Sequence, residues 1–187
     1  MNDLRAAIDL HTSLTVNQAE RLLGRPVTPV DVRAAGLKLY ELAAQPVAQS
    51  SRMVVAEVIS RTVLVRTANE SWIRHQLGTA ELFLQLRAAG DGTWELEWSS
   101  EFQRDKPDAT WTRSSGTVAA EFDSGGYSTS QIKRKLQAYG IRQAYDRVVW
   151  GVAEERTDGR STRIRNRQRI AVGLGATVDV IPIVWWA

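Results

Sequence analysis

The feature that most constrains the fold is a short run of consecutive apolar residues late in the chain, Val148-Val149-Trp150-Gly151-Val152. A strand with one face in water alternates apolar and polar residues, and this run does not alternate. It therefore predicts a central strand that is buried on both faces. Because strands of this kind are typical of sheets covered on both sides, the predicted fold class is mixed α/β, with α+β character.

The segments around this run predict the element order α-β-β-β-α-β, followed by α-β, over residues 69–187. Pro182 places the last strand at an edge of the sheet, because proline cannot donate a ladder hydrogen bond. The predicted elements are a helix from Ser71 to about Ala89, a strand at Trp94–Trp98, strands at Ala109–Arg113 and Thr117–Asp123, a helix from Ser128 or Thr129 to Tyr139, the central strand, a basic helix at Arg163–Ala171 and a strand at Val178–Val184.

Residues 1–68 predict a separate winged-helix-like unit of two helices followed by a hairpin. Thr15 and Gln18 have the spacing of a capping box, and Gly24 ends the first helix. Thr28-Pro29 opens the second helix. The predicted apolar face of this helix is Val32, Ala35, Leu39 and Leu42, and the predicted hairpin strands are Met53–Val58 and Thr62–Arg66.

Composition excludes several classes of protein. The chain has no Cys, which excludes disulfides and zinc sites built on thiolates, and its two His are too few for a His-rich metal cage. No apolar stretch approaches the length of about 18 residues that a membrane helix needs, so no membrane partner is expected. The N-terminal residues lack the pattern of a secretory signal, and the absence of Cys predicts a reducing, cytoplasmic location.

Positive charge is concentrated in residues 131–170. This segment has eleven Lys and Arg and four acidic residues, a net formal charge of +7 in a chain whose total is +3. Such a segment is suited to binding phosphate groups, and DNA is the predicted partner. A solvated Arg-rich helix and loop is the alternative, and charge alone does not separate the two.

Acidic residues cluster near the predicted strand ends. In a strand at Thr117–Asp123, Ala119, Glu121 and Asp123 share one face, and Val118, Ala120 and Phe122 share the other. Asp108 begins the preceding strand, and Glu81 on the opening helix can supply a further oxygen. Carboxylate oxygens are the ligands that Mg²⁺ prefers, so these acids predict a site for Mg²⁺ or Mn²⁺. Solvated strand ends remain the alternative interpretation.

This order and these residues resemble the restriction-endonuclease-like fold, whose core is αβββαβ and whose motif is PD-(D/E)xK. Pro107-Asp108 matches the first half of the motif, and Glu121 matches the second. Asp123 stands where that family usually has Lys, a departure from the motif. Lys135-x-x-x-Tyr139 on the next helix is similar to the arrangement in members whose basic residue has moved there, so Lys135 or Lys133 can compensate.

A closer resemblance is to the replication-relaxation family of plasmid and mobile-element proteins. It is carried by five short segments in the same order along the chain: Leu77-Gly78-Thr79-Ala80-Glu81-Leu82, Trp98-x-x-Glu101, Lys106-Pro107-Asp108-Ala109, Ala120-Glu121-Phe122-Asp123-Ser124-Gly125 and Lys135-Leu136-x-x-Tyr139. The resemblance implies a winged helix joined to an endonuclease-like domain, with a role in plasmid replication and DNA relaxation.

Three functions follow as alternatives. The first is a metal-dependent DNA nuclease, in which Asp108 and Glu121 bind Mg²⁺ or Mn²⁺, Glu81 or Asp123 assists, and Lys135 stabilises charge on the phosphate. The second is a catalytically silent DNA-binding factor on the same fold, which Asp123 favours. The third is a protein-interaction domain that uses exposed aromatic residues, and a homodimer is also considered.

The predicted DNA-contacting residues are Lys133, Arg134, Tyr139, Arg160, Arg163, Arg165, Arg167 and Arg169.

Overall fold

The computed structural model describes residues 3–61, 70–87, 92–97, 106–141, 145–155 and 161–186. These residues form six α-helices and two β-sheets. The first elements are α1 Leu4–His11, β1 Ser13–Thr15, α2 Val16–Leu23, α3 Pro29–Ala34, β2 Lys38–Ala44 and β3 Val54–Ser60. The later elements are α4 Glu70–Arg87, β4 Thr93–Leu96, β5 Ala109–Arg113, β6 Gly116–Asp123, α5 Thr129–Leu136 with a π-helical turn at Gln137–Ile141, β7 Arg147–Ala153, α6 Thr162–Gly173 and β8 Val178–Ile183.

The larger sheet has five strands in the order β4-β5-β6-β7-β8. The strands β4, β5 and β6 form an antiparallel meander, and β6, β7 and β8 run parallel to one another. The predicted order α-β-β-β-α-β, then α-β, is confirmed, and so is the mixed α/β class. Residues Val148 to Ala153 of β7 are all buried, as the apolar run predicted. Pro182 lies in β8, at the edge of the sheet.

The helices α2 and α3 begin where their capping signals predicted. The Thr15 hydroxyl accepts a hydrogen bond from the Gln18 N–H at 3.1 Å, and Gln18 Oε1 accepts one from the Thr15 N–H at 3.0 Å. This reciprocal pair satisfies two of the free backbone donors at a helix start. Gly24 ends α2 in the left-handed conformation, with φ of 67°. Thr28 caps α3, and Pro29 is its first residue.

The second half of the N-terminal unit differs from the prediction. The helix α3 ends at Ala34, and Gly36 follows with φ of 69°, a conformation that turns the chain out of a helix. Leu39 and Leu42 therefore lie in β2, and their assignment to a helical face was wrong. The hairpin is formed by β2 and β3, which pair antiparallel, and β1 joins the other edge of β3. The predicted strand 62–66 lies outside the described residues.

The two faces of the five-stranded sheet are covered by different helices. The helix α4 packs on one face, and a hydrophobic cluster there extends into the N-terminal sheet and includes Trp185. A smaller cluster lies under α5 and α6 on the other face. Gly78 allows α4 to approach β6 closely, because a Cβ at this position would overlap the ring of Phe122.

The predicted boundary between 1–68 and 69–187 falls in the undescribed residues 62–69, and that division stays a prediction.

Among the helices of the described residues, none combines the length and the apolar character that crossing a membrane requires.

Candidate functional site

Strand β6 presents two carboxylates to the layer formed by α5 and α6. The predicted alternation is confirmed: Val118, Ala120 and Phe122 belong to the cluster under α4, and Ala119 belongs to the cluster under α5 and α6. Glu121 and Asp123 share the face of Ala119, and both are fully buried. Because a buried carboxylate is costly unless it is paired, their partners decide what this face can do.

Glu121 lies at the centre of a closed hydrogen-bonded network. Its Oε1 is 2.6 Å from Lys135 Nζ and accepts a hydrogen bond from the Tyr127 hydroxyl at 2.7 Å. Its Oε2 is 3.0 Å from the Tyr139 hydroxyl oxygen. The term Glu121 pocket is used below for Glu121 with its neighbours His75, Asp108, Tyr127, Lys135 and Tyr139.

Lys135 and Tyr139 meet as their i, i+4 spacing predicted, although Tyr139 lies in the π-helical turn that follows α5. Lys135 Nζ is 3.0 Å from the Tyr139 hydroxyl oxygen. That hydroxyl is also 2.6 Å from the carbonyl oxygen of Lys106. The Tyr139 hydroxyl has one proton to donate. When it donates that proton to the Lys106 carbonyl, its contact with Glu121 is a hydrogen bond only if Glu121 is protonated and is itself the donor.

The protonation of Glu121 is set by its surroundings. Burial raises the pKa of the Glu121 carboxyl to about 7, the nearby Asp108 charge adds to this shift, and the Lys135 ammonium opposes it. Burial also raises the pKa of Tyr127 and Tyr139, and the Glu121 charge acts in the same direction. Both phenols therefore stay protonated, and they act in the pocket as hydrogen-bond donors.

Asp108 lies beside Glu121 and is paired with a histidine. Ala109 is opposite Ala120 in the ladder of β5 and β6, so Asp108 falls next to Glu121 at the end of β5. Its Oδ1 is 2.8 Å from His75 Nε2, and its Oδ2 accepts a hydrogen bond from the Phe122 N–H at 2.7 Å.

Asp108 and His75 stabilise each other's charged forms. Burial acts to raise the pKa of Asp108, but the charge and hydrogen bond of His75 outweigh it and hold that pKa below its usual value. Burial acts to lower the pKa of His75, but the Asp108 carboxylate outweighs it and raises that pKa. The two groups therefore form an ion pair over a wider pH range than either would hold alone.

The other two predicted metal ligands have cationic partners of their own. Asp123 Oδ2 is 2.8 Å from Nε of Arg167 on α6, and its Oδ1 accepts the Gly125 N–H at 2.8 Å. Glu81 lies on α4 and receives Nη1 of Arg21 at 2.8 and 3.0 Å. Glu81 is therefore on the opposite side of the sheet from Asp123.

This arrangement does not fit Mg²⁺ or Mn²⁺. Such an ion needs carboxylate oxygens that are free to coordinate it, together with water. Here each of the four predicted ligands is held by one basic side chain, and Lys135 already places an ammonium against Glu121. No group of three or more His, Asp or Glu suited to a metal occurs among the described residues.

The predicted DNA-contacting residues divide into inward and outward groups. Tyr139 and Arg167 are buried, so neither presents its polar atoms to a partner at the surface. Arg160 lies outside the described residues. The remaining five are exposed or half-exposed on α5 and α6, and they are called the outer basic face below: Lys133, Arg134, Arg163, Arg165 and Arg169.

Two residues of the Glu121 pocket were not predicted from the sequence. His75 lies on α4, two residues before the segment at Leu77 that carries the family resemblance, and this proximity was the one available signal. Tyr127 lies directly before the N-cap of α5 and makes its contact only because the chain turns after β6. No spacing rule of helices or strands predicts that a loop residue such as Tyr127 contacts Glu121 on a strand.

Comparison with known proteins gives one match. The model of the replication-relaxation family matches residues 13–141, more than half of the chain. No curated protein and no solved structure matches. The matched range includes the N-terminal sheet, α4, β6 and α5, and hence the whole Glu121 pocket. The chain therefore belongs to the replication-relaxation family, and this membership points to a role in plasmid replication or relaxation.

Proposed function

We propose that this protein binds duplex DNA through the outer basic face and does not cleave it at the Glu121 pocket. The observation that carries the proposal is the charge of two helices in contact with each other. Helices α5 and α6 carry seven Lys and Arg and no acidic residue. Five of these cations form the outer basic face, where phosphates of a duplex can approach them.

The element orders support the same proposal. The N-terminal unit has the order α1-β1-α2-α3-β2-β3 with β3 between β1 and β2, which is the arrangement expected for a winged helix. The later unit has the αβββαβ order expected for an endonuclease-like core. Both arrangements recur in DNA-associated proteins, but a fold alone does not fix function, and the charged surface therefore carries the proposal.

The test is a salt titration of DNA affinity. For five phosphate contacts, the slope of log Kd against log salt should be about 4.5. Replacing Arg163, Arg165 and Arg169 by Ala should lower that slope by about three, because each lost contact removes about one. Fluorescence anisotropy with a labelled duplex measures both quantities.

A matched control removes three other surface cations. Arg61 and Lys106 are exposed, Arg147 is half-exposed, and each forms an ion pair with an acid. Their triple replacement by Ala makes the same change in net charge and should leave the slope almost unchanged. The proposal fails if the wild-type protein does not bind at low salt, or if the two triple variants behave alike.

Metal-dependent nicking remains the second candidate because Asp108, Glu121 and Lys135 do gather at one end of β5 and β6. The pairing of each acid with a basic side chain speaks against it. We expect no nicking of supercoiled plasmid with Mg²⁺ or Mn²⁺. Nicking that Glu121→Gln abolishes would instead support the nuclease.

The third alternative, a protein-interaction domain, has little support in the described residues. The aromatic side chains that it would use are mostly internal, including Trp94, Trp111, Trp150 and Trp185. Trp72 is an exception, with 42% of its surface exposed.

A further inference from the structure

We infer that Glu121 and Asp123 form a two-point clamp that positions the outer basic face for DNA. The inference rests on the proposed DNA binding and adds residues that touch no DNA. The two acids are two residues apart on one face of β6, and each binds a cation from a different helix. Lys135 comes from α5, and Arg167 comes from α6.

The α6 half of the clamp is directional. Arg167 has 9% of its side chain exposed, and its Nε lies 2.8 Å from Asp123 Oδ2. Ile164 and Ala171, three residues before and four after, are buried on the same helix face. These two are the buried apolar residues of α6, Ala171 is small, and Ile170 packs against the same cluster while only half-buried. The ion pair between Arg167 and Asp123 therefore contributes much of the restraint on the rotation of α6 about its own axis.

The α5 half works in the same way. Lys135 points inward together with Ile132 and Leu136, which are buried beneath the helix. Lys133 and Arg134 are then directed outward by helix geometry. The contact of Lys135 with Glu121 thus sets the direction of the α5 cations, as Arg167 does for those of α6.

The clamp also offsets the repulsion between the cations of α5 and α6. Like charges on neighbouring helices repel each other, and α5 and α6 carry no acid to offset their seven cations. Glu121 and Asp123 provide negative charge beneath the layer and attract both helices to the sheet. The acids that resemble metal ligands are in this interpretation positioning residues, with Lys135 and Arg167 in the role of counterions.

The test is Asp123→Asn, because the change in net charge and the loss of the clamp predict opposite changes in DNA affinity. The substitution makes the protein more positive by one charge, so simple electrostatics predicts tighter DNA binding. Loss of the clamp predicts weaker binding, and a slope of log Kd against log salt that falls from about 4.5 towards about 2, since the three α6 cations no longer align. Asn keeps an oxygen that can accept the Gly125 N–H.

Asp179→Asn is the matched control. Asp179 lies on β8 and pairs with Arg147 at the surface, so the charge change is the same without any effect on α6. This variant should keep the wild-type slope. Hydrogen exchange of residues 162–173 gives an independent readout, and it should become faster in Asp123→Asn and stay unchanged in Asp179→Asn.

A second variant covers the case in which Asp123→Asn folds poorly. Asp123→Asn combined with Arg167→Met removes the unpaired buried cation, so it should recover the melting temperature but not the salt slope. A structural role alone would recover both. The inference is overturned if Asp123→Asn, or the double variant, binds DNA with the wild-type slope. Wild-type protein that does not bind DNA would instead overturn the proposed function.

Discussion

The two faces of the five-stranded sheet are held in different ways. On the α4 side, Phe122 packs against Gly78 in a cluster made of apolar side chains. On the other side the cluster is smaller, and two ion pairs supplement it, Lys135 with Glu121 and Arg167 with Asp123. The α4 side also has ion pairs, His75 with Asp108 and Arg21 with Glu81, but neither of them uses an acid of β6. On the α5 and α6 side both acids come from β6 and both cations come from the helices, which is the arrangement that the proposed clamp uses.

Phe122→Ala should give the largest effect and should act on stability alone. Loss of this ring leaves a cavity under α4, and the expected cost is about 3–5 kcal/mol in the free energy of unfolding. Urea denaturation measures it. The DNA salt slope of the folded protein should not change, because α5 and α6 lie on the other face. Trp72→Ala, at an exposed position, should stay within about 0.5 kcal/mol of wild type.

Lys135→Met should give the next largest effect, and only at high pH. It leaves Glu121 buried without its cation, which should cost about 3 kcal/mol at pH 8. At pH 5.5 Glu121 is protonated in either protein, so the cost should be much smaller. Lys133→Met removes the same charge from the exposed side of α5 and serves as the control. Equal destabilisation by both variants would contradict a special role for Lys135.

The pH dependence of stability reports on Glu121 and His75 together. Because the pKa of Glu121 is raised in the folded protein to about 7, folding favours its protonated form. Stability should therefore decline as pH rises from about 4.5 to about 7, by up to roughly 3 kcal/mol. The raised pKa of His75 acts in the same direction above pH 6.5, since its contribution is lost as pH rises through the folded value.

Asp108 gives the opposite dependence at lower pH. Its pKa is lowered in the folded protein, so its contribution is present above its usual value near 3.8 and is lost as pH falls below it. Glu121→Gln should flatten the decline between pH 4.5 and 7 and leave the acid-side loss in place. A melting curve that does not depend on pH in the wild-type protein would contradict the assignment.

Local signals predicted much of the fold and little of the pairing. The capping box at Thr15 and Gln18 acts within one turn, so the sequence was sufficient to locate α2. The strand β5 was predicted with its observed bounds, Ala109–Arg113. The inward direction of Arg167 was missed because Arg recurs at every second residue from 163 to 169, a spacing that spreads charge around a helix. Ile164 and Ala171 were the signal that could have identified it.

The central claim is that DNA lies on α5 and α6, and one measurement tests it most directly. Hydrogen exchange of the full chain, with and without a saturating duplex at low salt, reports which face is covered. DNA bound on this face should slow the exchange of residues 129–136 and 162–173 in the complex, with little change for residues 70–87 of α4. Protection confined to α1, α2 and α3, with α5 and α6 unchanged, would contradict it.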